Sequence, residues 1–178
     1  REQTLLFSAT IPPDIEGLIR QFTHKPLRLM VSGGDRKVEG IGHVLYFANE
    51  EIPRPRNLLY LIEHECPGTT IIFCNRKTDT ALVAAYLLRQ GKRAEAIHGD
   101  LDQRDRERVL TKLRNNEVQF LVATDVASRG IDISGLTHVI NYNFPPSSEL
   151  YIHRVGRTGR QGRQGVAISL ANGADAFQ

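Results

Sequence analysis

The sequence of 178 residues has no tryptophan, one methionine and two cysteines, and aromatic residues make up only 7% of it. Cys66 and Cys74 cannot form the disulfide framework that holds small secreted domains together. Cys66 has His64 nearby, but no second ligand pair follows at metal-site spacing, so a zinc site is not indicated. These thiols suit a reducing, cytoplasmic setting. No stretch approaches the ~20 consecutive apolar residues of a membrane span. The opening REQTLLFSAT lacks the pattern of a signal peptide.

Acidic residues are missing from one stretch in particular. YIHRVGRTGRQGRQG, residues 151–165, has Arg154, Arg157, Arg160 and Arg163 at every third position and no Asp or Glu. The net charge is only +3, with a pI near 9.0, so this distribution says more than the total. Glu50, Glu51, Glu63 and Glu65 hold acid elsewhere. Such a segment can be a solvated basic loop or an anion site. Arg154, Arg157 and Arg160 would share one face if a helix ran through them. Gly156 and Gly159 would let a backbone or a ligand come close. Guanidinium forks match phosphate oxygens two at a time, so a polyphosphate is a suitable anion.

From His43 onward, apolar runs alternate with helical patterns. The expected strands are 43–48, 69–74, 93–99, 118–124, 137–143 and 165–171. The expected helices begin after Pro53 and Pro55, at Thr78 as N-cap, at Asp102 as N-cap, and at Ser147; Gly91 stops the second. This order predicts an α/β fold: a parallel β-sheet with helices on both faces and ligands at the carboxyl ends of the strands. The first residues differ. A short strand-like run, a helix begun by Pro12 and Pro13, and LRLMV are too little to enclose a core. Residues 1–31 therefore read as the tail of another domain, 32–42 as a Gly-rich charged linker, and 43–178 as the main domain.

Three polar runs fall at expected strand ends. ATDVASRGID, residues 123–132, combines small residues with the carboxylate of Asp132; its plainer reading is that Asp125 caps a short helix. HGDLDQRDRER puts Gln103 and Arg106 in the first turn of a helix, where anions are favoured, although Asp102 and Asp105 also suit an ordinary N-terminus. His98 has no nucleophile beside it and reads as structural.

Taken together, SAT (8–10), IIFCNRK (71–77), HGDLDQRDR (98–106), ATDVASRGID (123–132) and HRVGRTGR (153–160) occur in the order found in DEAD-box RNA helicases of superfamily 2. The resemblance spans essentially the whole chain and implies a RecA-like second lobe of an ATP-dependent RNA helicase. It further implies that Ser8 and Thr10 end the first lobe and couple ATP state to unwinding. Asn75, Arg76, Gly99, Asp100, Gln103, Arg106, Thr124 and Gly130 would line the RNA path. Asp132 would contact the ATP ribose, and Arg157 and Arg160 the γ-phosphate, with Arg160 as the finger. His153 and Arg154 would help couple the lobes.

Two departures qualify what this chain would do alone. No GxxxxGK[ST] or DEAD sequence is present, so the phosphate cradle is missing and the Mg²⁺ that accompanies ATP would be held mainly by the N-terminal lobe. The fragment is therefore expected to be inactive without that lobe. Asn143 stands where many relatives have Asp. RNA, gripped by its backbone, is the expected partner, and affinity should fall with salt. Few aromatics are available for base stacking. A superfamily 2 DNA helicase lobe and a non-catalytic RNA-binding module are the alternatives.

Overall fold

A computed structural model describes residues 4, 6, 13–29, 40–128, 135–159, 163–173 and 175. The chain divides into two compact units, Arg1–Lys37 and Val38–Gln178. In the first, α1 (Pro13–Phe22) opens on a proline, whose fixed φ suits a first helical position. Ile19 is buried, whereas Leu18, Phe22, Leu27 and Leu29 are exposed. Both Nη atoms of Arg28 donate to the Glu16 carboxylate, at 2.7 and 3.1 Å.

The second unit holds one sheet of six parallel strands in the order β1-β6-β5-β2-β4-β3. The strands are β1 (Ile41–Phe47), β2 (Thr70–Phe73), β3 (Ala94–Ile97), β4 (Phe120–Ala123), β5 (His138–Asn141) and β6 (Gly165–Ala171). The helices between them are α2 (Arg54–Glu65), α3 (Lys77–Arg89), α4 (Gln103–Arg114), the short α5 (Asp125–Ser128) and α6 (Ser148–Val155). β2 and β4 are buried along their whole length, as continuous apolar strands covered on both faces must be.

Alternation along β2 sends side chains to two separate cores. Ile72 joins Leu58, Leu61, Val83 and Leu87 of α2 and α3. Ile71 and Phe73 join Val109, Leu110 and Leu113 of α4, together with Ala127 of α5. Helices therefore cover both faces, and the carboxyl ends of the strands are left to the connecting loops.

Two expected caps form as read. Asp102 accepts the Asp105 N–H at 2.7 Å, and Ser147 accepts the Leu150 N–H at 3.2 Å. Gly91, at φ +74°, takes the left-handed conformation that ends α3. Thr78 is not an N-cap. Helix α3 starts at Lys77, with extended Arg76 in the cap position and no side-chain cap, because an arginine side chain has no acceptor for the free N–H groups of the first turn. Nor does a helix carry Arg154 and Arg157 onto one face. α6 ends at Val155, and the Arg157 and Thr158 N–H groups bond back to Arg154 and Val155 in tight turns.

The glycines in that segment serve packing within the domain. A Cβ on Gly165 would stand 2.4 Å from Thr158 Oγ1 and 2.7 Å from the Gly159 nitrogen. Gly159, at φ +66°, lies against the Ile41 side chain of β1. Close backbone approach is thus required at both positions, and it brings the arginine turn against the amino ends of β1 and β6.

Candidate functional site

The carboxyl ends of β2, β4 and β5 meet at one side chain. Arg154 on α6 is only 1% exposed, although it carries a full charge. A buried guanidinium must have its donors satisfied and its charge balanced. Nε and Nη2 each donate to a different oxygen of Asp125, both at 2.7 Å. Nη2 also donates to Asn75 Oδ1 at 2.7 Å, and Nη1 donates to Asn141 Oδ1 at 3.2 Å and to the Asn143 carbonyl at 2.8 Å. All five N–H donors are therefore used. The guanidinium lies 5.1 Å from the centre of the Phe73 ring, within cation–π range.

The acceptors are themselves held. Asn75 takes Asn143 Oδ1 on its backbone N–H at 3.0 Å and donates Nδ2 to the Phe144 carbonyl at 3.0 Å. Asn141 donates to Ser169 Oγ at 3.0 Å, which ties β5 to β6. On α5, Thr124 Oγ1 accepts the Ala127 N–H at 3.4 Å, and Ser128 Oγ donates to the Asp125 carbonyl at 2.8 Å. Arg106 reaches across from α4 to donate to the Ala127 carbonyl at 2.8 Å.

Further out, the β2 and β3 ends are joined by an ion pair. Lys77 Nζ lies 2.9 Å from Asp100 Oδ2 on the exposed surface. The Lys77 hydrogen bond and charge hold the Asp100 carboxyl below the usual carboxylate range. Arg76, Gly99 and Gln103 are exposed along the same edge, with Gln103 donating to Glu107 Oε1 at 3.3 Å. His98 Nδ1 is buried and has no hydrogen-bond partner, alone in this among the described residues. A cavity of about 30 Å³ between α5 and α6 is lined by Asp125, Ser128, His153, Arg154 and Arg157, among others.

Of the residues singled out in the sequence, Asn75 and Arg154 are thus in direct contact, and Arg106 and Thr124 hold the helix to which Arg154 is bound. His153, Arg154 and Arg157 line one cavity. Ser8, Thr10, Gly130, Asp132 and Arg160 lie outside the described residues. No motif in the sequence marks Asp125, Asn141 or Asn143 as partners of an arginine. One signal was available: a buried arginine needs an acid, and Asp125 sits at a strand end among small residues.

A family model described as the helicase conserved C-terminal domain matches residues 53–162. The chain belongs to that family, in its DEAD-box branch. This helicase C-terminal domain is 39% identical over 168 residues to the DEAD-box ATP-dependent RNA helicase RhpA of Helicobacter pylori, covering 94% of the chain and 34% of the relative. It is 40% identical over 167 residues to the ATP-dependent RNA helicase CshA of Limosilactobacillus reuteri, covering 94% and 33%. The domain spans about a third of the length of these relatives.

Solved structures agree. The E. coli DEAD-box protein SrmB, bound to the regulator of ribonuclease activity A, is 34% identical with a TM-score of 0.72, covering 77% of this chain and 81% of that one. The C-terminal domain of the DEAD-box protein Dbp5 is 33% identical with a TM-score of 0.69, covering 79% and 82%. The fold is thus the RecA-like parallel sheet of DEAD-box C-terminal domains.

Proposed function

We propose that this domain is the second lobe of an ATP-dependent RNA helicase, which grips the RNA backbone and completes an ATP site begun on an N-terminal lobe. The observation that carries the reading is Arg154: one buried guanidinium fastens the loops after β2, β4 and β5 to the turn bearing Arg157. Contacts at the strand ends and contacts made by the turn therefore share one rigid support.

In this reading Asn75, Arg76, Gly99, Asp100, Gln103, Arg106, Thr124 and Gly130 face the RNA. Arg157 and Arg160 offer forks to the γ-phosphate, and Asp132 accepts from the ribose. The donor chemistry of Arg157, at a cavity it shares with His153, suits a phosphate. ATP would supply the phosphoryl group whose growing negative charge such forks stabilise. We assign Mg²⁺ mainly to the N-terminal lobe. Residues 1–31 would belong to that lobe, a reading supported by the exposure of Leu18, Phe22, Leu27 and Leu29, with 32–42 as linker. Free thiols at Cys66 and Cys74 suit a cytoplasmic protein.

The test is ATP hydrolysis by the full-length protein with single-stranded RNA or duplex DNA. RNA-dependent stimulation is expected. Stimulation by DNA alone would make it a DNA helicase, and absence of hydrolysis would leave an RNA-binding module.

A further inference from the structure

The sheet has two outer strands, and they are finished differently. At one edge β3 is only four residues long, with both end residues buried and Glu95 tied to Lys112 of α4. Short length and a charged residue are how sheet edges are kept from pairing with other chains. At the other edge β1, IGHVLYF, runs for seven residues with no Lys, Arg, Asp, Glu or Pro in it. Val44, Leu45 and Phe47 are 40%, 51% and 65% exposed, and among the described residues no strand lies beyond β1.

The hydrogen bonds flanking β1 fix which way its backbone points. The Gly40 carbonyl accepts the Gly165 N–H at 3.0 Å, and the Ala48 N–H donates to the Ala171 carbonyl at 2.7 Å. In a parallel ladder a strand faces a given neighbour at every second residue. Even-numbered residues therefore bond to β6, while Ile41, His43, Leu45 and Phe47 aim their N–H and C=O groups away from the sheet. The two ends of this edge differ in charge. Arg163 is exposed beside Gly40 at the amino end, and Glu50 and Glu51 are exposed beyond the carboxyl end.

We propose that β1 pairs with β1 of a second copy of this chain, antiparallel about a two-fold axis at Val44, joining two sheets into one. Centring on Val44 overlaps all of Ile41–Phe47. Ile41 then faces Phe47 of the second copy and His43 faces Leu45, and each such pair exchanges two backbone hydrogen bonds. Leu45 and Phe47 thereby leave water. Charge selects the antiparallel direction: Glu50 and Glu51 of each copy come beside Arg163 of the other, whereas parallel pairing would set like ends together. A two-fold contact of this kind uses up both edges and stops at a dimer. The carboxyl ends of β2, β4 and β5 in the two copies point in opposite directions, so the site described above stays open in both. The pairing is independent of the function proposed for that site. An interface of one strand from each copy is small, so dissociation is expected on the order of 10 µM.

The experiment uses the full-length protein. Sedimentation velocity over a concentration series should show a monomer–dimer equilibrium; a protein still monomeric at roughly 100 µM overturns the proposal. Leu45→Pro is the diagnostic variant. The Leu45 N–H faces outward, so proline there removes no bond to β6 but blocks a further strand. It is expected to weaken association at least about tenfold. Leu45→Lys, which puts a charge on the edge, should do the same, and it decides the matter if Leu45→Pro does not fold. The register is read by oxidation in a Cys66→Ser background. Val44→Cys should form an intermolecular disulfide, because residues facing one another at a non-hydrogen-bonded position have Cα atoms about 4.5 Å apart. Leu45→Cys, which faces His43 instead, should cross-link far more slowly, and peptide mass spectrometry locates the bond. Parental association in Leu45→Lys, or cross-linking at position 45 in preference to 44, places the contact elsewhere and overturns the proposal.

Discussion

Asn143 Oδ1 accepts the backbone N–H of Asn75 at 3.0 Å, closing the end of β5 against the end of β2. The contact needs an acceptor at position 143 and no donor, so aspartate would serve as well. Asn143→Asp should therefore leave thermal stability nearly unchanged. Asn143→Ala removes the acceptor from a solvent-accessible N–H and should cost about 0.5–1.5 kcal/mol, read from denaturant unfolding.

Arg154 and Asp125 form a pair in which one partner is buried and the other mostly so, with side-chain exposures of 1% and 19%. Arg154→Met leaves the carboxylate without its counter-charge and strands acceptors from three strand ends. The expected loss is about 3–5 kcal/mol, seen as a large fall in Tm. Adding Asp125→Asn should return part of it, because the uncompensated charge is then gone.

Gly165 tests whether the glycines among the arginines serve packing. Gly165→Ala puts a methyl group 2.4 Å from Thr158 Oγ1, against backbone that has nowhere to go. Overpacking of this kind costs about 1–3 kcal/mol. Gly91→Ala tests a different cause, since open space surrounds that position and its penalty comes from φ +74° alone.

His138 supplies a pH dependence. Burial lowers its pKa, opposed only partly by the charge of Glu65. The unfolded chain then binds more protons than the folded one, so stability is lost as pH falls through the ordinary histidine value of about 6.5. Chemical unfolding of the isolated domain at pH 7.5 and at pH 5.5 should show this loss, and His138→Gln should flatten it.

These sites differ in how far the sequence disclosed them. β2 and β4 were legible because strands covered on both faces are uninterrupted apolar runs, and the Asp102 and Ser147 caps because each bonds three residues ahead. Strand order was not, since pairing such as β6 between β1 and β5 is set by packing between distant segments. The arginines misled for a local reason. Regular spacing offers one shared face if a helix continues, yet α6 stops at Val155, so Arg157 leaves the face on which Arg154 is buried and stays partly exposed. The acid that balances Arg154 lies 29 residues earlier, beyond any short-range pattern.

In the proposed helicase, the arginine turn of this domain acts on ATP bound by the N-terminal lobe. Steady-state hydrolysis by the full-length protein with saturating single-stranded RNA tests it most directly, comparing the parent with Arg160→Lys and Arg163→Lys. Lysine keeps the charge but loses the planar fork, and arginine fingers contribute on the order of 10³–10⁵ in rate. Arg160→Lys is expected to lose most RNA-stimulated turnover while retaining RNA binding, and Arg163→Lys to stay close to the parent. Near-parental turnover in Arg160→Lys, or an equal loss in Arg163→Lys, would show a general basic surface and contradict the account.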